Sequence, residues 1–429
     1  MAPARTRSEL TLILLVAAVQ FVNILDFVMV MPLGPDFAAA LQIPISTVGY
    51  VGGAYTAAAS LAGLLGSLFL DRFDRRHALG VAMSGLVIAT ALGGCAPELA
   101  RLIPIQLLAH AVGQPATLVA LMCARVLAGL FGGPATSVAL SIVADRIPPE
   151  RRGRAMGIVM GAFAFASVLG VPAGLEAARR GGWRMPFFGV AAIGVLVVVG
   201  AIALLPSLAG HVEAARNRNR FAFLALFRRP IALLSWSTTA TVMMAGFILI
   251  PNISAYVQGN LGYPRARLGL LYMAGGVFSL VATQAGGRIV DRIGAARTGL
   301  VGSLLLIATI QCGFAMVTPP IPIVALFMLF MTAMGLRNVS HQTLTSHVPD
   351  GPERAGFMSI QSSVQHFAAA SGAFLAAHVL VEEKGKLIGM QTIAHISMTL
   401  SVVVPVLFFL LERAVRQRRQ AREAALAAA

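Results

Sequence analysis

The stretch GRIVDRIG, Gly287 to Gly294, has an earlier near-copy in SLFLDRFDRR, Ser67 to Arg76. Each ends a long apolar run, and the aspartates Asp71 and Asp291 stand about 220 positions apart. Pro32 and Pro251 are separated by nearly the same interval. A second echo, Glu150-Arg-Arg-Gly153 and Glu353-Arg-Ala-Gly356, has an interval of about 203, so the first half carries an insertion of about 17 residues between the markers. PELARLIPIQLLAHAVGQP, Pro97 to Pro115, sits there and is expected to form an interfacial hairpin. The chain therefore reads as a duplication.

Composition says what is duplicated. Of 429 residues, 57% are hydrophobic and only 12% charged, about half the charge of a soluble domain. A membrane-spanning helix needs roughly 20 apolar residues. Twelve such runs follow: Leu10–Leu33, Ser46–Leu70, Ala78–Ala96, Ala116–Val143, Arg154–Ala177 and Pro186–Leu205, then Ile231–Val257, Leu268–Val290, Thr298–Val317, Ile321–Thr343, Ala355–Val381 and Leu387–Leu411. The expected architecture is an all-α membrane protein of two six-helix bundles, 1–206 and 230–411, with a basic linker at 207–229 and a basic tail at 412–429. The first run is too long for a signal peptide and lacks a small-residue cleavage site, so it reads as a retained helix.

The net charge of +16 does not point to nucleic acid, because the arginines lie in short clusters between apolar runs rather than on one basic face. Placing both termini in the cytoplasm puts DRFDRR, DRIPPERRGR and RNRNR inside, as the positive-inside rule requires. Cys95, Cys123 and Cys312 fall inside apolar runs without metal-ligand spacing, and their expected role is packing. No metal site is expected. Neither H-E-x-x-H, G-x-S-x-G nor a phosphate-binding glycine loop with its lysine occurs in a suitable context, which argues against an enzyme or an ATP-driven pump.

Three charges lie deep inside the runs: Asp26, Arg125 and Arg337. Such a charge costs about 2.5–3.5 kcal/mol even on lenient insertion scales. The first helix runs outward and the fourth returns, and at 1.5 Å per residue Asp26 and Arg125 fall at matching depth within roughly 3 Å. Asp26 has no counterpart in the repeat, where Ala245 stands opposite it. Gln20, Asn23 and Asp26 recur at spacing three and form a polar stripe. Burial disfavours a charged carboxyl and a nearby guanidinium favours it, so changes of solvent access or pairing change proton affinity. Asp26 with Arg125 is thus a candidate proton-coupling pair; the alternative is a static ion pair holding the two helices together. Further candidates are Arg337 and His341, four apart on the tenth helix, and Gln361, Gln365 and His366 on the eleventh, which serve either substrate contact or bonding between helices. Tyr50, Tyr55, Tyr256 and Tyr272 are candidate substrate contacts, though packing or an interfacial position is the expected role of each.

The loop pattern, together with LDFVMVMPLGPDF, CARVLAGLFGGPA, PPERRGRAMG, ASVLGVPAG, GFILIPNISAY and RAGFMSIQSSVQ, resembles the major facilitator superfamily, and within it the sugar- and drug-efflux-like branch of proton-coupled antiporters. The first loop copy departs at two glycine positions, Ser67 and Asp74, and the antiporter motif of the fifth helix is shortened to Gly170-Val-Pro172-Ala-Gly174. The resemblance implies two bundles that rock about a central cavity lined by the first, fourth, seventh and tenth helices. Asn23, Arg337, His341, Gln361, Gln365 and His366 would then serve the cavity. It implies a proton-transfer role for Arg125 and a cytoplasmic latch of Asp71, Arg72, Arg75, Arg76, Asp291 and Arg292. It also implies a proton gradient as energy source with no cofactor, a small organic substrate and export from a bacterial cytoplasm by a monomer in the inner membrane. A facilitator or importer of a sugar, metabolite or lipid on the same fold, and more remotely a non-transporting scaffold, stay open at this point.

Overall fold

A computed structural model describes residues 7–70, 73–148, 155, 157–159, 161–163, 165–206, 222–316, 318–349 and 354–428. The first half contains α1 (Arg7–Val30), α2 (Val48–Phe69), α3 (Arg75–Gly94), α4 (Ala116–Arg146), α5 (Gly157–Gly181) and α6 (Met185–Leu204). The second contains α7 (Pro230–Gly259), α8 (Leu268–Ile293), α9 (Ala295–Ala315), α10 (Ile323–Ser346), α11 (Arg354–Val379) and α12 (Met390–Ala428). Among the described residues, eleven of these are long and apolar enough to cross a membrane. The exception is α11, long enough at 26 residues but carrying Gln361, Ser362, Ser363, Gln365 and His366. It packs lengthwise on α2 of the other half and on α7, so part of its polar surface meets protein rather than lipid. The face opposite the arginine-rich turns is termed outer below.

The repeated prolines mark where α1 and α7 end their regular course. α1 stops at Val30, and a separate helix, Gly34–Leu41, starts with Pro35 in its first turn, where proline's missing N–H costs nothing. In α7 the α-helix stops at Phe247, a 3₁₀ turn holds Pro251, and the helix resumes at Ile253. α4 stays one helix through Pro134, whereas Pro172 follows a π-turn, Ala166–Gly170, within α5. The basic tail is no separate element: it continues α12, and Arg418 Nη1 donates to Val348 O at 2.7 Å.

The two loop copies make their turn differently. In the second, Gly294 adopts φ +91° between α8 and α9, a region open to glycine at little cost. In the first, Asp74 replaces the glycine at φ −55°, and its carboxylate accepts from Arg76 N at 2.8 Å, capping α3. Asp74→Ala is expected to cost about 1 kcal/mol, seen as faster hydrogen exchange confined to the first turn of α3.

The halves meet along α2 with α11 and along α5 with α8. Among the described residues, polar contacts cross between them at the outer face, including Tyr50 Oη at 3.4 Å from His378 Nδ1 and three shorter ones. Arg265 chelates Asp36, with Nη2 at 2.7 Å and Nε at 2.9 and 3.1 Å. Ser254 Oγ donates to Pro32 O at 2.8 Å. Glu382 accepts from Ile45 N at 2.6 Å. Glu382 belongs to a hairpin, β1 (Val381–Glu383) and β2 (Lys386–Ile388), that joins α11 to α12. Asn260 docks it on the end of α7 by exchanging two 2.9 Å hydrogen bonds with Leu387. The 97–115 insertion forms two short helices, Ala96–Leu99 and Ile103–Val112, instead of a hairpin.

Candidate functional site

Asp26, wholly buried in α1, forms an ion pair with Arg125 of α4. Arg125 Nη1 lies 3.1 Å from Asp26 Oδ1, and Nη2 closes the fork on Oδ2. Thr90 of α3 donates to Asp26 Oδ1 at 2.7 Å. The guanidinium also stands over the Tyr55 ring of α2, 5.2 Å from its centroid, a cation–π contact strengthened by desolvation. Tyr55 Oη donates to Asn23 Oδ1 at 2.7 Å, and Asn23 Nδ2 donates to Gly132 O at 2.7 Å and to Thr136 Oγ1 at 2.5 Å. Four helices of one half thus converge on one buried charge pair.

The helix approach depends on glycine. A Cβ at Gly132 would stand 2.8 Å from Asn23 Oδ1 and closer still to Tyr55 Oη. Gly132→Ala is expected to destabilise the protein by about 1–3 kcal/mol through overpacking, measured as a lowered melting temperature in detergent.

A stack of rings leads from the pair to the other half. Phe27 lies on Tyr55 with centroids 5.2 Å apart, and on Phe247 of α7 at 5.9 Å. Phe247 is the last residue of α7 before its break. A movement of α7 against α1 therefore bears on the ring that covers Arg125.

The second half holds its polar groups separately. His341 Nε2 lies 2.8 Å from Thr239 Oγ1 of α7, and Gln361 Nε2 of α11 donates to the same hydroxyl. Arg337, fully buried, donates from Nη2 to Val242 O and Met334 Sδ, both at 3.2 Å, with Ser401 Oγ of α12 3.5 Å from Nη1. No carboxylate bonds it among the described residues, and its Nε has no partner. Of the remaining cavity candidates, His366 is half-buried and Gln365 exposed on α11, neither joined to this network.

The latch residues divide. Asp71 and Arg72 lie outside the described residues. Arg75 is buried, and Arg76 Nη2 donates to Ile202 O of α6. In the second copy Asp291 and Arg292 are exposed, and among the described residues neither has an ion-pair partner.

Tyr55, expected only to pack or sit at an interface, stacks under Arg125; sequence reasoning passed over Thr90, Thr136, Thr239, Phe27 and Phe247. Hydroxyls and rings in apolar runs carry no signal of their own. Thr90 was further hidden by standing on a helix without charge at depth, the pattern of a lipid-facing support. A contact with Asp26 gives it away only in three dimensions.

Comparison with known proteins agrees with this architecture. The chain is 25% identical over 383 residues to a chloramphenicol resistance protein of Streptomyces lividans, covering 88% of this chain and 91% of that one. It is 26% identical over 283 residues to the inner membrane transport protein YdhP of Escherichia coli, covering 65% and 66% of the two chains. Among solved structures, a D-xylose-proton symporter superposes with a TM-score of 0.72 at 16% identity, covering 93% of this chain and 97% of that one. A bacterial homologue of the human lysosomal transporter Spinster also gives 0.72 at 16% identity, covering 96% and 98%. The Major Facilitator Superfamily profile matches residues 16–336 and again 235–428. With its helical duplication and with that profile spanning almost its whole length, this chain is a multi-pass membrane transporter of small molecules and belongs to the Major Facilitator Superfamily.

Proposed function

We propose that this protein is a proton-coupled antiporter that exports a small organic molecule across a bacterial inner membrane by alternating access, with both termini in the cytoplasm and the monomer as working unit. The observation that carries this reading is the buried Asp26–Arg125 pair, overlain by Tyr55 and linked through Phe27 to Phe247 of the opposite half. A proton on Asp26 cancels one charge of the pair, and the ring stack gives that event a route to α7. The asymmetry between halves supports a coupling role: the second half has no acid at this depth. The resistance protein of Streptomyces lividans favours export and makes chloramphenicol the first probe to use.

The outer contacts Asp36–Arg265, Ser254–Pro32 and Glu382–Ile45, with Asp291 exposed and without an ion-pair partner among the described residues, support reading this as a state closed on the outer side. Arg337, His341, Thr239 and Gln361 are assigned to the substrate-facing part of the second half.

The second reading is a facilitator in which the pair is a fixed strut, favoured by the bond from Thr90 that helps satisfy Asp26. Proteoliposomes decide between them. An antiporter moves labelled chloramphenicol uphill when a pH gradient is imposed and exchanges it for protons. A facilitator only equilibrates it, with no proton movement.

A further inference from the structure

The helix Ile103–Val112, on the outer side between α3 and α4, has no counterpart between α9 and α10 among the described residues. Within the body of the protein it packs on α4, through the partly buried Ile105 and the buried Ala109. At 100° per residue its other side chains fall into two sectors. Ile103, Leu107, Pro104, Leu108 and Val112 make a broad apolar arc that is exposed throughout, Ile103 at 71% and Leu107 at 66%. Gln106 and His110, four residues apart, form a narrow exposed polar edge.

Water is a poor medium for that arc. Leu102, Ile103, Leu107, Leu108 and Val112 are all exposed within eleven consecutive residues, a concentration that marks an interaction surface. Ten residues give a length of about 15 Å, half of what a span needs, so the helix cannot cross the membrane. The arc belongs to the half whose exposed belt includes Ile88 of α3 and Val126 of α4, the surface that a membrane protein gives to lipid. Three sectors, one on protein, one apolar and one polar, are what a helix lying in the plane of a membrane interface requires.

We infer that Ile103–Val112 lies in the interface of the outer leaflet, its apolar arc among phospholipid acyl chains and Gln106 and His110 at the headgroups. The first half is thereby anchored in the outer leaflet beside the start of α4, the helix that carries Arg125, and the second half shows no such helix among the described residues.

Nitroxide labels test this in the full chain reconstituted in phosphatidylcholine vesicles, in a background with Cys95, Cys123 and Cys312 replaced by alanine. Labels at Ile103→Cys and Leu107→Cys are expected to collide several-fold more with oxygen than with a water-soluble nickel chelate, and labels at Gln106→Cys and His110→Cys the reverse. Nickel-dominated collisions at all four positions would place the helix in water and overturn the inference. Spin–spin broadening with low access to both quenchers at 103 and 107 would mean a second copy covers the arc, and would overturn it equally. Should the cysteine-free background misfold, Leu107→Trp in the otherwise natural chain serves instead. Phosphatidylcholine brominated on its acyl chains should quench the added fluorescence at least twofold, and no quenching refutes the anchor.

Discussion

For the proposed antiporter, Asp26→Asn is expected to abolish uphill transport driven by a pH gradient, with at least a tenfold loss of the chloramphenicol probe accumulated in proteoliposomes, while the protein stays folded. The amide keeps the shape and an acceptor oxygen for Thr90 but cannot take or release a proton at the pH of the assay. It leaves Arg125 without its counter-charge, so some stability is lost. Removing one member of a buried pair costs about 3–5 kcal/mol when the other charge is stranded. Arg125 keeps the Tyr55 ring beneath it, which offsets part of that cost.

Two further variants separate coupling from a strut. Arg125→Leu strands a buried carboxylate and should lower the melting temperature. Asp26→Leu combined with Arg125→Leu strands neither charge, and apolar replacement of a buried pair is often neutral or stabilising. A fixed strut predicts that the double variant equilibrates substrate like the natural chain and that Asp26→Asn shows the same pH response as before. Coupling predicts a stable double variant with no pH-driven transport.

Asp36→Arg is expected to open the outer face. The Asp36–Arg265 pair joins the halves at the surface, its side chains 25% and 28% exposed, in a forked geometry. A pair this accessible contributes about 1 kcal/mol, and reversing one charge replaces attraction by repulsion between two guanidinium groups. A change of 1.4 kcal/mol is tenfold in an equilibrium, so the outward-open population should rise several-fold. In vesicles of known orientation, a membrane-impermeant maleimide added outside reads this as faster labelling of Phe27→Cys, in a background free of other cysteines. Asp36→Arg with Arg265→Asp should return labelling to the natural rate. A single variant that labels no faster than the natural chain would show that the closure does not need this pair and rests on the other outer contacts, Ser254–Pro32, Glu382–Ile45 and Tyr50–His378. High salt should narrow the difference, because exposed charges are screened.

The architecture was legible in the sequence because membrane spans declare themselves one at a time. Each run carries its own apolar signal, and the spacing of Asp71 with Asp291 and of Pro32 with Pro251 exposes the duplication. The boundaries that moved did so for local reasons. α12 continues through the basic tail because alanine, arginine and glutamine are good helix formers. The glycine position held by Asp74 became a helix cap, since a carboxylate there can satisfy a free N–H at the start of α3.

The site was legible only in part. Asp26 and Arg125 stood out because charge in an apolar run is costly, and helix direction with rise per residue placed them at one level. The sequence by itself thus determined a duplicated twelve-helix transporter fold and the residues of its buried charge pair. Only the tertiary structure decided that Thr90 bonds the carboxylate, that Tyr55 covers the guanidinium, that Phe27 and Phe247 join the halves, and that Asp36 meets Arg265 across the outer face. Hydroxyls, rings and loop charges are common in any membrane chain. Their meaning depends on which helix stands opposite, and that is set by packing between residues up to 337 positions apart.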